Sequence, residues 1–367
     1  EEAAKAAKTI IDEGPYKLYS TKTPDKDYMM LFAQENASTE EYILAIRNSY
    51  EAQVYHNATA YTLLPTQGRP GYTRKFINMY LKKDGTAFTD QEGWQTLPFT
   101  EEVKSIRTPG YKRIGAKRVQ GPDLGVTITG YQPIKFVQDT TASGGQIDRN
   151  DRSTCDMPVF RYAEVLLNYA EAKAELGTLT QNDLAITVNE IRSRVGMRGL
   201  DMNEANKNID WYLESKEYGY PNVTGANKGV ILEIRRERAV ELIQEGFRLQ
   251  DLYRWKAGYC IDQAISGMYF PGPGEYKLAG KETADLILYA AGSTKPQGGE
   301  GVSVYELGSD IILSEGNKGY VYYHKTVENQ RPGFNEERDY LYPIPSGERS
   351  LNPNLTQNPG WSDGLDF

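Results

Sequence analysis

Apolar residues recur with helical spacing in three stretches of the chain. The strongest is RYAEVLLNYAEAKAELG, Arg161 to Gly177, where Ala163, Leu166, Leu167, Ala170 and Ala174 fall at the three- and four-residue steps that share one helix face. Small side chains on that face allow another helix to approach closely. Asn182 is a plausible N-cap for DLAITVNEIRSRVG, with an apolar stripe of Leu184, Val188, Ile191 and Val195 and a terminating Gly196. The third pattern runs from Lys228 to Gly258, with Ile231, Ile234, Leu242, Phe247, Leu249, Leu252 and Trp255 supplying its apolar part. Gly246 inside it predicts a break between two helices or a close neighbour. Residues 1 to 14 also read as a helix, closing at Gly14 before Pro15.

The intervening segments lack this period. Residues 15 to 155 are loop-rich, punctuated by Gly and Pro, with short strand-like pieces at Tyr42 to Tyr50 and Val126 to Val137. Between Tyr259 and Tyr323 the pattern dissolves into Gly- and Tyr-rich loops. The stretch Asp339 to Trp361 holds Pro343, Pro345, Pro353 and Pro359, and is expected to be an extended tail without a helix. The length of 367 residues is ample for a large core.

Charge and composition narrow the function. Lys plus Arg number 42 against 50 Asp plus Glu, so the net charge of −8 argues against nucleic acid as a partner while leaving room for a local basic patch. Mean hydropathy is −0.61, and no apolar run approaches the roughly 20 residues of a membrane-spanning helix. The first residues lack an initiator methionine and the regions of a signal peptide, as in a processed or truncated product. Cys155 and Cys260 fit one disulfide or two buried thiols equally, and His56 and His324 are the only histidines, too few for a His-rich zinc site.

Chemistry-bearing clusters are sparse. Glu233, Glu237, Glu241 and Glu245 repeat every four residues, but the interleaved Arg235, Arg236 and Arg238, with Arg248, are expected to pair with them in a structural ion network. Asp148, Asp151 and Asp156 in IDRNDRSTCD lack the ordered spacing of a calcium loop and read as solvated loop. No phosphate-cradling glycine motif is present, so no cofactor is expected. The unusual feature is 27 Tyr and 4 Trp, many beside Asn, Gln, Arg and Gly. Such rings stack on the C–H faces of sugars while amides and guanidinium groups bond the hydroxyls, although the same residue types serve peptide binding and surface packing.

In combination, RYAEVLLNYAEAKAELG, NEIRSRVGM (Asn189 to Met197), ILEIRRERAVELIQEGFRLQDLYRW (Ile231 to Trp255) and LYPIPSGERSLNPNLTQNPGW resemble the SusD/RagB family of outer-membrane nutrient-binding lipoproteins. TQGRPGYTRKFINMYLKKDG, Thr66 to Gly85, is similar to the family's region before the helices. The resemblance implies a mostly α fold of tetratricopeptide-like helix pairs, with long ordered loops and a few short strands. It also implies cell-surface exposure at the bacterial outer membrane through a lipid on a missing N-terminal Cys, and partnership with a TonB-dependent, SusC-like transporter. The expected organisation is one SusD-like domain over 1–367 that lacks its N-terminal helices: a loop-rich part with the ligand site over 15–155, a helical scaffold over 156–258, and loops with an extended tail over 259–367.

The expected function is capture of an oligosaccharide or polysaccharide without catalysis. The candidate ligand-binding residues are Trp94, Tyr72, Tyr61, Gln67, Arg69 and Asn57, aromatic platforms with hydrogen-bonding neighbours. A peptide-binding importer subunit on the same fold is the alternative, ahead of an α-helical glycoside hydrolase, for which no convincing carboxylate pair stands out.

Overall fold

The computed structural model describes the chain except residues 25, 65, 88–110, 115–116, 121–123, 126, 134, 139–148, 263, 278–280, 323–332 and 366–367. Trp94, Asp148 and His324 therefore lie outside the described residues.

The first helix, α1 (Glu2–Glu13), buries Ala4 and Ala7 against the long helix of the 161–177 stretch, and ends as expected before Gly14. Short elements follow: α2 (Asp27–Ala33), β1 (Tyr42–Ile46), α3 (Ala58–Leu63), α4 (Arg74–Ile77), and a two-stranded antiparallel pair, β2 (Tyr111–Ile114) with β3 (Lys117–Gln120). Strand β4 (Met157–Arg161) then returns to β1, with Leu44 opposite Phe160 and Ile46 opposite Met157. This pairing clamps the loop-rich region at its root and lays residues 47–57 beside 149–156. The described residues of the Val126 to Val137 segment, expected to be strand-like, form turns and irregular loop. Gly130 and Phe136 at φ +84° and +63° interrupt the extended run, because left-handed residues cannot continue a strand.

In the helical scaffold, α5 (Tyr162–Glu175) buries all five of Ala163, Leu166, Leu167, Ala170 and Ala174. The predicted single helix after it is two, α6 (Gln181–Ala185) and α7 (Val188–Arg194). Its N-cap is Thr180 rather than Asn182: the Thr180 hydroxyl accepts from Asp183 N–H while the Asp183 carboxylate accepts from Thr180 N–H, satisfying two otherwise orphaned donors. Short helices α8 (Met202–Lys207) and α9 (Trp211–Glu214) precede α10 (Lys228–Glu241), which packs on α5 and α8. Gly246, at φ +89°, breaks the third pattern as predicted and opens α11 (Arg248–Arg254). The break resets the helical phase, so Leu252 and Trp255 are buried whereas Leu249 is exposed.

The stretch after 259 is more regular than its glycines suggest. Strand β5 (Ser266–Phe270) pairs with β9 (Gly319–Tyr322), and β6 (Gly274–Tyr276), β7 (Leu286–Tyr289) and β8 (Ser303–Glu306) form a second small sheet. These strands span only three to five residues each, too few for an alternating pattern to show. The proline-rich tail likewise contains a helix, α12 (Ser346–Leu351). Its prolines flank the helix instead of interrupting it, and Arg349 is buried against Asp363.

Among the described residues three hydrophobic clusters form the core: one around Phe32, Leu124, Met268 and Leu286, one around Leu166, Leu213, Leu232 and Trp255, and a smaller one where Ala4 and Ala7 meet Val165 and Tyr169. A buried ionic cluster joins the segments that contribute to them. Arg161 Nη1 lies 2.9 Å from Glu41 Oε1 and 2.6 Å from Glu241 Oε1, and its Nε lies 2.7 Å from Glu245 Oε2. Arg194 reaches Glu241 at 2.6 Å, and Lys135 bonds Glu245 while sitting 4.0 Å from the Phe32 ring centroid. The glutamate ladder is thus scaffolding as expected, but with different partners. Within α10 itself only Arg236 and Glu233 pair among the described residues, at 3.3 Å. Arg192 holds Glu233 and Glu237, Arg235 pairs with Glu175, Arg238 with Asp251, and Arg248 donates to the Tyr220 hydroxyl. The ladder faces the core, so packed elements reach it before the exposed side of its own helix can.

Both cysteines are buried and free, so the disulfide alternative falls. Burial pushes the Cys155 thiol up to about 12, which makes it inert at neutral pH.

Candidate functional site

The β1/β4 pairing brings two loops together, and backbone anchors fix them. Asp156 accepts from Ala37 N–H and Asn48 N–H, both at 2.7 Å, and Asn48 Nδ2 donates to Cys155 O at 2.9 Å. His56 and Ser153 exchange backbone hydrogen bonds of 2.9 and 3.1 Å, and Ser153 Oγ accepts from Thr59 N–H at the start of α3. Asp156 is therefore a structural bracket. Asp151 is committed as well: its carboxylate accepts from Asn57 Nδ2 at 3.0 Å while its N–H donates to Asn57 Oδ1. Among the described residues, no group of three His, Cys, Asp or Glu side chains is placed to hold a metal.

On this frame α3 presents Tyr61, 50 % exposed. Its ring lies on Gly68: a Cβ at that position would stand 1.9 Å from Tyr61 Cζ, so only glycine fits under the ring as it stands. One ring face is thereby seated on backbone. On either side of α3, Asn57 is held by Asp151, and Gln67 Nε2 donates to Asn150 Oδ1 at 3.2 Å. The tight turn between Ser49 and Val54 carries Tyr50 and is followed by Tyr55, both exposed, with ring centroids 6.1 Å apart, and the Arg152 guanidinium lies 4.8 Å from the Tyr50 ring centroid.

Of the residues chosen from the sequence, Asn57, Tyr61 and Gln67 therefore meet on one surface. Arg69 turns away from it, half-buried, to donate to Leu124 O at 2.7 Å. Tyr72, expected as a platform, is only 7 % exposed; its ring packs in the core and its hydroxyl donates to Gln244 Oε1 at 2.7 Å. An amphipathic Tyr satisfies both its ring and its hydroxyl that way, and it offers no free face. Trp94 is outside the described residues. Tyr50, Tyr55, Asn150 and Arg152 were not foreseen. The clue was NSYEAQVYHN, two tyrosines in a mostly polar setting just before α3, but the long-range pairing of β1 with β4 is what brings Asn150 and Arg152 to them.

The arrangement offers exposed phenol rings, the tethered amides of Asn57 and Gln67 and the Arg152 guanidinium at Tyr50, suited to stacking and hydrogen bonding of a flat polar ligand. The SusD family model matches residues 67–361, most of the chain. The chain belongs to the SusD family. No curated protein matches it. Among solved structures it is similar to a SusD-like carbohydrate binding protein from Bacteroides fragilis NCTC 9343, at 22% identity and a TM-score of 0.60, over 96% of this chain and 60% of that one. A SusD-like protein from the same organism matches at 18% identity and a TM-score of 0.56, over 98% of this chain and 62% of that one. The chain thus spans about three fifths of the length of these family structures, with their helix-dominated architecture. Among the described residues, no helix is long and apolar enough to cross a membrane.

Proposed function

We propose that this SusD-family chain captures an oligosaccharide at the Tyr50, Tyr55 and Tyr61 surface and passes it uncleaved to a TonB-dependent, SusC-like transporter. In this reading the protein is held at the outer-membrane surface by an N-terminal lipid. The observation that carries the proposal is the seating of Tyr61 on Gly68 between the tethered amides of Asn57 and Gln67, a stacking face fixed before a ligand arrives. The carbohydrate-binding designation of the B. fragilis relative supports the ligand class. Trp94 remains a proposed further platform on its sequence setting alone.

Calorimetry against an oligosaccharide panel, with reducing ends followed in parallel, tests this reading. Binding that is lost in Tyr61→Ala, with no release of reducing ends above a buffer blank, is the expected result. Binding of peptides with none of any glycan, or sugar turnover abolished by replacing one carboxylate, would overturn it.

A further inference from the structure

The candidate surface differs from the rest of the molecule in how its arginines are used. Among arginines whose side chains the structure describes, those of the helical scaffold other than Arg248 pair with carboxylates, as do Arg338 and Arg349 in the tail, and Arg69, Arg74 and Arg248 donate to carbonyl or hydroxyl oxygens. Three have neither kind of partner: Arg47, Arg149 and Arg152. All three fall on the two loops that the β1/β4 pairing lays side by side. Arg47 precedes Asn48, which is bonded to Cys155 and Asp156 across the loops; Arg149 precedes Asn150, the acceptor of Gln67; Arg152 stacks at Tyr50. Arg47 and Arg149 are exposed and Arg152 is half-buried.

Among the described residues, the acids on the same loops do not neutralise them. The Asp151 carboxylate accepts from the Asn57 amide, Asp156 is buried on backbone N–H groups, and Glu51 is exposed without an ion pair to any of the three. A protein of net charge −8 that pairs its other described arginines thus keeps three guanidinium groups without a carboxylate, carbonyl or hydroxyl partner on the two loops that carry this surface. A guanidinium stays charged at any physiological pH, and its planar fork of donors matches a carboxylate or sulfate.

Resting on the glycan-capture reading above, we infer that the ligand is an acidic glycan, one whose sugar rings carry carboxylate or sulfate groups. The rings of Tyr50, Tyr55 and Tyr61 take the sugar faces, and Arg149 and Arg152, with Arg47 on the neighbouring loop, take the anionic substituents. Charge on the ligand also speeds its approach to an otherwise acidic protein only where such a positive patch exists.

The test is calorimetry with four ligands: galactan oligomers (neutral), oligogalacturonides (carboxylate), a sulfated galactan (sulfate) and a poly-glutamate peptide (anionic but without sugar faces). At least one acidic glycan should bind about tenfold tighter than the neutral one, and preference between the two acidic glycans identifies the anion. Arg149→Gln and Arg152→Gln should each weaken that ligand about tenfold and leave the neutral ligand within about twofold, while Arg152→Lys retains more affinity than Arg152→Gln. Raising NaCl from about 0.05 to about 0.5 M should weaken only the acidic ligands. If Tyr61→Ala abolishes binding while the arginine variants leave acidic and neutral glycans alike unchanged, the site stands and the acidic-ligand inference falls. Equal binding of the peptide and the acidic glycans also overturns it. If Tyr50→Ala and Tyr61→Ala, shown folded by circular dichroism, bind every ligand like the parent, the glycan-capture surface itself is wrong.

Discussion

The ionic cluster around Arg161 and the loop surface around Tyr61 use the same residue types to opposite ends. In the cluster, Glu41, Glu241 and Glu245 surround Arg161 at 1 % exposure, and every charge has a partner. On the loop surface the rings of Tyr50, Tyr55 and Tyr61 and the side chains of Arg47 and Arg149 face solvent, and it is the backbone of the loops that is tied down. A charge taken out of water must be paired, or its desolvation penalty exceeds what packing returns. A charge left at the surface can stay unpaired at small cost and is free for a ligand. The difference therefore separates residues that hold the fold from residues available to function, and it can be broken by substitution on either side.

The largest effect is expected from Arg161→Met. Three buried carboxylates would lose their common partner, and urea denaturation should show a loss of roughly 3 to 5 kcal/mol, with glycan affinity per folded molecule unchanged. A smaller loss would mean that the cluster tolerates an unpaired charge. Acid probes the same cluster. Burial alone would raise the Glu245 carboxyl, but Arg161 and Lys135 outweigh it and hold it down to about 2. Because the folded-state value lies below the ordinary one of 4.5, this stabilisation is complete above about 4.5 and is lost as pH falls towards 2, by on the order of 3 kcal/mol. Glu241 and Glu171, also held low by arginines against burial, act in the same direction. Glu237 opposes them, since burial outweighs Arg192 and raises it. Thermal melts between pH 2 and 6 should show the decline, and Glu245→Gln should flatten it.

Ala170→Leu comes next. Ala170 is fully buried in the scaffold, so the added carbons should cost roughly 1 to 3 kcal/mol in the melting midpoint and leave binding alone. On the other side of the comparison, Tyr61→Ala should weaken glycan binding at least about tenfold, or about 1.4 kcal/mol, while stability moves within about 0.5 kcal/mol. Trp94→Ala, proposed from the sequence, is expected to weaken binding similarly. The gentlest probe is Gly68→Ala, whose new methyl displaces the Tyr61 ring. Affinity should fall by a fewfold with the melting point nearly constant, and an unchanged affinity would show that the seating of this ring does not matter.

The helical elements were readable because burial on a helix recurs with the helix's own period. Ala163 through Ala174, the break at Gly246 and the buried Trp255 each follow from local spacing. The capping residue was misplaced by two positions, since Asn182 and Thr180 are both good N-caps and only the reciprocal bond with Asp183 selects one. Strands β5 to β9 escaped notice because a strand of a few residues is defined by its partner rather than by its own sequence. For the surface, the residue types were right in kind, but nothing local tells Tyr61 from Tyr72. One lies on Gly68 and is half exposed, and the other packs in the core and donates to Gln244.

By itself, then, the sequence determined the family, the helical scaffold and an aromatic, amide-rich composition suited to sugars, all of which rest on local periodicity and motif order. Tertiary structure alone decided which glutamates meet which arginines, which tyrosines keep an exposed face, and which arginines stay unpaired. Each of those outcomes depends on contacts between residues up to about two hundred positions apart, such as Tyr28 with Glu241 and Glu41 with Arg194. Pairing at that range is set by how elements pack, and no local pattern records it.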